Sequence, residues 1–84
     1  MEIGCVVKSL AGRDKNRFYV VTGFTNDAAF IADGKVRKLE KPKQKNVRHL
    51  QKTNTVFSPD DYRSNQSIRR SLSRFNREEE TIAQ

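Results

Sequence analysis

Tryptophan is absent from the 84 residues, and cysteine, histidine and methionine each occur once. A lone thiol, Cys5, closes no intrachain disulfide, which suits a reducing compartment. One histidine beside one cysteine makes no metal-ligand set, so neither a metal nor another cofactor is expected. No stretch approaches the roughly 18–20 apolar residues of a membrane span. Met1-Glu2-Ile3-Gly4 lacks the basic and apolar regions that open a secretory signal, so a cytoplasmic location is expected. Hydrophobic residues make up only 35% of the chain, below the usual share of a soluble domain. The core must be small, and a chain of this size is expected to lack room for a sizeable ligand pocket beside it.

Catalytic groupings are missing too. There is no credible Ser/His/Asp or Cys/His arrangement, and no glycine loop of the P-loop or dinucleotide type. Asp60-Asp61 reads as helix-start chemistry, not as an acid–base pair. The expectation is a protein that is not an enzyme and has no small-molecule substrate.

What the chain does have is positive charge: 17 Lys and Arg against 10 Asp and Glu, a net +7, with a pI near 10.0. Such a balance favours nucleic acid or an anionic surface as partner. The charge is concentrated in residues 1–50, which hold 11 basic and 5 acidic residues, whereas residues 51–84 hold 6 and 5.

Hydropathy patterning predicts several short strands. Ile3, Cys5 and Val7 alternate at period two over residues 2–7. Arg17 to Thr22 is rich in aromatic and β-branched residues, and Ala28 to Ala32 surrounds Phe30 and Ile31. Asp33-Gly34 signals a tight type I′ hairpin, leading to a fourth strand over Lys35 to Leu39. A basic loop follows at 41–46, where Pro42 forbids a central strand, and Val47 to Leu50 supplies a short fifth strand. Strands at this spacing predict a small, mainly β antiparallel barrel over residues 1–57. A helical extension occupies 58–84. Ser58-Pro59-Asp60-Asp61 carries helix-start signals, and Ser64 or Asn65 caps a second helix from about Gln66. In that helix Ile68, Leu72 and Phe75 share one face. Fraying is expected beyond about residue 77.

Two basic regions stand out. The first is the glycine-bearing loop Leu10-Ala11-Gly12-Arg13-Asp14-Lys15-Asn16, where Arg13, Lys15 and Arg17 flank a backbone free to turn with positive φ. The second is a ridge of Lys35, Arg37, Lys38, Lys41, Lys43, Lys45 and Arg48, with Glu40 as its one acid. His49 reads as a surface residue or an RNA contact, and Cys5 as a buried small hydrophobe. Tyr19 either packs in the core or stacks a base. Arg69, Arg70, Arg74 and Arg77 form either a second RNA-facing surface or a solvated helix face.

The segment Gly4 to Arg17 resembles the KOW motif: an opening glycine, alternating hydrophobics, a central glycine and a basic tail. Ile31-Ala32-Asp33-Gly34-Lys35-Val36-Arg37-Lys38-Leu39 and Arg48-His49-Leu50-Gln51-Lys52-Thr53 resemble the later strands of a KOW-domain family. That family comprises large-subunit ribosomal proteins of the "fourteen-e" type and short bacterial RNA-binding proteins similar to them. Ser64 to Phe75 is similar to the C-terminal helix of the bacterial members. One departure is Asn16, which stands where the family often has a second glycine; Asn is the next-best residue for the left-handed region. The resemblance implies an SH3-like barrel that binds RNA, often ribosomal RNA, without catalysis. RNA contacts are then expected at Arg13, Lys15, Arg17, Lys35, Arg37, Lys38, Lys41, Lys43, Lys45, Arg48, His49, Arg69 and Arg70, and the protein is expected to be a monomer. The alternative is a protein-interaction module of the transcription or translation machinery, as KOW domains of NusG-type factors suggest. Membrane-surface binding is disfavoured, because the helix has a narrow apolar face and no Trp.

Overall fold

The computed structural model describes the backbone of residues 1–82 and the side chains of residues 1–76. Five antiparallel strands form one sheet: β1 (Cys5–Ser9), β2 (Phe18–Phe24), β3 (Ala28–Ala32), β4 (Lys43–Asn46) and β5 (Leu50–Val56). Their order is β4-β3-β2-β1-β5, so β4 and β5 are the two edges. Yet only the 3₁₀ turn Val47–His49 separates them in the chain. In a flat sheet the edges would stand about 19 Å apart, whereas the backbone from Asn46 to Leu50 reaches at most about 14 Å. The sheet must therefore curl so that its edges approach one another, giving the small barrel-like, mainly β fold expected from the strand spacing.

Alternation along the strands divides the apolar residues between two sides. Cys5, Val7, Tyr19, Val21, Ala29, Ile31 and Leu50 fill the concave interior. Val6, Val20 and Ala32 face the other way and meet Phe57, Ile68 and Leu72. The helix α1 (Asn65–Ile82) supplies that cover. Its Ile68–Leu72–Phe75 stripe lands on the sheet as the periodicity predicts, with Phe75 tilted against Phe18 at a ring-centroid distance of 5.4 Å. Ser64 is the cap: its hydroxyl accepts from Ser67 N–H (3.1 Å) and its carbonyl from Ile68 N–H (3.0 Å). The helix backbone runs on to Ile82, past the point where fraying is expected; the side chains of residues 77–84 and the backbone of 83–84 lie outside the described residues.

Four local expectations are corrected. Residues 35–39 are not a strand and Asp33-Gly34 is not a type I′ hairpin. Gly34 has φ +77°, but Asp33 does not share a positive φ. Instead the Asp33 carboxylate accepts from the Lys35 and Arg37 N–H groups (2.9 and 2.8 Å), which winds the segment into a loop. The fourth strand comes later, in the stretch expected to be a basic loop. It follows Pro42 and lies at an edge, where proline next to a strand is tolerated. The fifth strand is also displaced, to Leu50–Val56, with Val47–His49 forming the turn before it. Finally, Ser58 and Asp61 make a capping box, but on a single 3₁₀ turn, Pro59–Tyr62.

Candidate nucleic-acid interface

The loop between β1 and β2 closes on itself. Asn16 N–H donates to the Ser9 carbonyl (2.7 Å) and Ser9 N–H to the Arg17 carbonyl (2.9 Å). Both Gly12 (φ +85°) and Asn16 (φ +73°) adopt left-handed backbone, so Asn16 does supply the conformation that a glycine would. Asp14 points back beneath the loop, where its Oδ1 accepts from Ser9 Oγ (2.8 Å).

Strand β4 reaches the same carboxylate. Lys43 lies opposite Ile31 and Lys45 opposite Ala29 in the β3–β4 ladder. Facing residues of an antiparallel pair project to the same side, so both lysines point inward with the core residues, while Gln44 and Asn46 point to solvent. Their ammonium groups meet Asp14: Lys43 Nζ at 3.0 Å from Oδ2 and Lys45 Nζ at 2.7 Å from Oδ1. Lys45 also donates to the Ala11 carbonyl (2.7 Å). The Lys45 side chain is only 9% exposed and that of Asp14 12%. Burial alone would raise the Asp14 pKa. Hydrogen bonds from Lys45, Ser9 and Lys43 outweigh it and hold the carboxyl well below the usual carboxylate range. Inward-pointing charge also protects an edge strand from pairing with another chain.

The second wall is the loop after β3. Besides the Asp33 bonds, Arg69 donates to the Gly34 carbonyl (2.8 Å), and Asn65 Oδ1 accepts from Leu39 N–H (2.8 Å). Asn65 also donates to Glu40 Oε1 (2.7 Å). The helix thus holds this loop at both ends. Gly34 sits directly against the Asn65 carbonyl, and a Cβ at this position would collide with it.

Between the two loops lies an open cleft of about 580 Å³, lined by Arg13, Asp14, Arg17, Tyr19, Asp33, Lys35, Val36, Arg37 and Lys43. The cleft is an open surface groove, distinct from the enclosed ligand pocket that so small a chain is expected to lack. It is built mainly by the two loops, with Tyr19 of β2 and Lys43 of β4 completing its lining. Tyr19 is 4% exposed and belongs to the interior cluster, which answers whether it is core or surface. Burial, then the charges of Asp14 and Asp33, push its phenol up to about 12. An adjoining groove adds Arg69 next to Arg17 and Lys35.

The expected contact residues therefore fall into groups. Arg13, Arg17, Lys35, Arg37 and Lys43 converge on the cleft, and Arg69 flanks it. Lys15, Lys38 and Lys41 are exposed on the surrounding loops, and Arg48 and His49 are exposed on the turn before β5. Arg70 lines a separate groove with Asp61 and Arg74. Lys45 lies under the loop as a structural cation.

Sequence reasoning missed the roles of Asp14, Asp33 and Val36. The acid between Arg13 and Lys15 was the available signal for the first. Among the described residues, no group of three or more His, Cys, Asp or Glu is placed to hold a metal ion, and no helix is long and apolar enough to cross a membrane. Compared with known proteins, the chain matches no family model and no curated relative.

Proposed function

We propose that this chain is a non-catalytic RNA-binding protein whose cleft between the 10–17 and 33–40 loops receives the phosphate backbone, with ribosomal RNA or the ribosome as its target. One observation carries the reading. The two acids of the cleft are already engaged, Asp14 by Lys43, Lys45 and Ser9 and Asp33 by two backbone N–H groups. The side chains of Arg13, Lys35 and Arg37 carry no hydrogen bond or ion pair among the described residues. Arg13, Lys35 and Arg37 thus stand in the cleft without an ion pair among the described residues, and cations so placed gain most from a polyanion. Phosphate contacts of this kind fix position and affinity more than sequence. The ribosomal target is supported by the resemblance to KOW-domain proteins.

The test is sedimentation of the protein with ribosomal particles at low salt, alongside a variant carrying Arg13→Glu, Lys35→Glu and Arg37→Glu. The wild type is expected to travel with the particles and the variant to stay at the top of the gradient. Association that survives both charge reversal and nuclease would replace this reading with a protein-interaction module.

A further inference from the structure

We infer that the cleft takes an unpaired nucleotide, so that the protein selects single-stranded or bulged RNA over continuous duplex; this rests on the RNA-binding reading above. The argument begins with Val36. It is 75% exposed, the most exposed of the large hydrophobic side chains among the described residues. It sits between Lys35 and Arg37, on the wall of the cleft. The backbone hydrogen bonds to Asp33 hold Lys35 and Arg37 in place on either side of it. The loop therefore presents an apolar group to the site, flanked by two cations, at a position where burial in the protein's own core plays no part.

A phosphate-tracking surface has no use for that group. In a duplex the base faces are sealed by stacking, and a protein meets phosphates, sugars and groove edges. An unstacked base, by contrast, offers a π-face that stacks on aromatic side chains or arginine planes, and its apolar surface gains from an apolar neighbour. The cleft has both: Val36 on its wall, and Arg13 and Arg37 with no side-chain partner among the described residues. Its volume of about 580 Å³ lies within the ~300–1,000 Å³ range of clefts that receive a small organic molecule. The site thus combines room for one base with cations for the phosphates on either side of it. A purely acidic peptide would satisfy the cations but would leave Val36 unused.

The experiment compares the full chain and Val36→Ala on three probes: a uridine-rich single strand of roughly ten nucleotides, a blunt RNA duplex of the same length, and a poly-glutamate peptide. Val36 is solvent-exposed, so its truncation leaves the fold and the charge unchanged. The expected result is tighter binding of the single strand than of the duplex, with Val36→Ala weakening the single strand at least about threefold and the duplex less than about twofold. Equal affinity for both RNAs, or a single-strand affinity indifferent to Val36→Ala, overturns the inference while leaving RNA binding intact. Poly-glutamate displacing the single strand at equal concentration overturns it in favour of an acidic protein partner. Binding of neither RNA at low salt removes the RNA-binding reading and this inference with it.

Discussion

Replacing Asp14 with alanine should be the most damaging single change in the barrel mouth. The carboxylate receives three side-chain hydrogen bonds, from Ser9, Lys43 and Lys45. Truncation leaves Lys45 with an ammonium group that is nearly buried and holds only the Ala11 carbonyl. Removing one partner of a buried pair costs about 3–5 kcal/mol. The remaining carbonyl places Asp14→Ala near the lower end, at about 3 kcal/mol. For a domain of this size that lowers Tm by about 12–24 °C, a large share of a total stability of about 4–13 kcal/mol. Thermal unfolding followed by far-ultraviolet circular dichroism reads the change. Pairing Asp14→Ala with Lys45→Met should recover part of the loss, because no buried charge is then left alone. A Tm within about 4 °C of wild type for Asp14→Ala, or a double variant whose losses simply add, would refute the buried clamp. The same carboxylate sets a pH dependence. Its folded-state pKa is depressed, so its contribution is fully present above the ordinary aspartate value of about 4. The contribution is lost as pH falls from there toward the folded-state value. Asp14→Asn should lack this acid-side decline.

Other expectations follow from the same packing. Gly34→Ala forces a side chain into left-handed backbone against the Asn65 carbonyl. It should cost at least about 1–2 kcal/mol and expose α1 to limited proteolysis before the barrel is cut. Leu72→Ala empties a site that is 1% exposed between helix and sheet, with an expected loss of about 2–5 kcal/mol in urea unfolding. Asn16→Gly should be close to neutral in Tm, whereas Asn16→Ala should lose about 1–2 kcal/mol through its φ of +73°.

Much of the scaffold was legible in the sequence because local chemistry and tertiary demand agree there. Period-two alternation pointed to β1, and aromatic and apolar content to β2 and β3, whose residues are buried on both sides of that part of the sheet. The Ile68–Leu72–Phe75 spacing gave the helix face for the same reason. The misplaced strands share a physical cause. Lys35 to Leu39 follows a hairpin-like Asp33-Gly34 pair, but the Asp33 carboxylate captures two of its N–H groups and bends it away from the ladder. Residues 43–46 have no apolar side chain. They pair because β3 offers a free edge and because Asp14 draws the two lysines inward, a long-range interaction that a local pattern does not encode. Charge behaved likewise. A run of lysines read as one solvent-facing ridge, but the pleat turns Lys43 and Lys45 to the inside. Charge reversal at Lys41, Lys43 and Lys45 together would therefore break the Asp14 clamp as well as remove surface charge. Arg13, Lys35 and Arg37 separate binding from folding.

The most direct test of the central claim is the salt dependence of binding to a ribosomal RNA fragment, measured at equilibrium for the wild type and for the Arg13→Glu, Lys35→Glu, Arg37→Glu variant. Three phosphates met by these side chains predict a slope of log K against log salt of roughly −2 on single-stranded segments. In the variant the slope should be much shallower and the affinity lost at the low-salt end, with Tm unchanged. A wild-type affinity that stays flat with salt, or a variant that binds as tightly and as salt-dependently as the wild type, would contradict the assignment of the cleft as the RNA-binding surface.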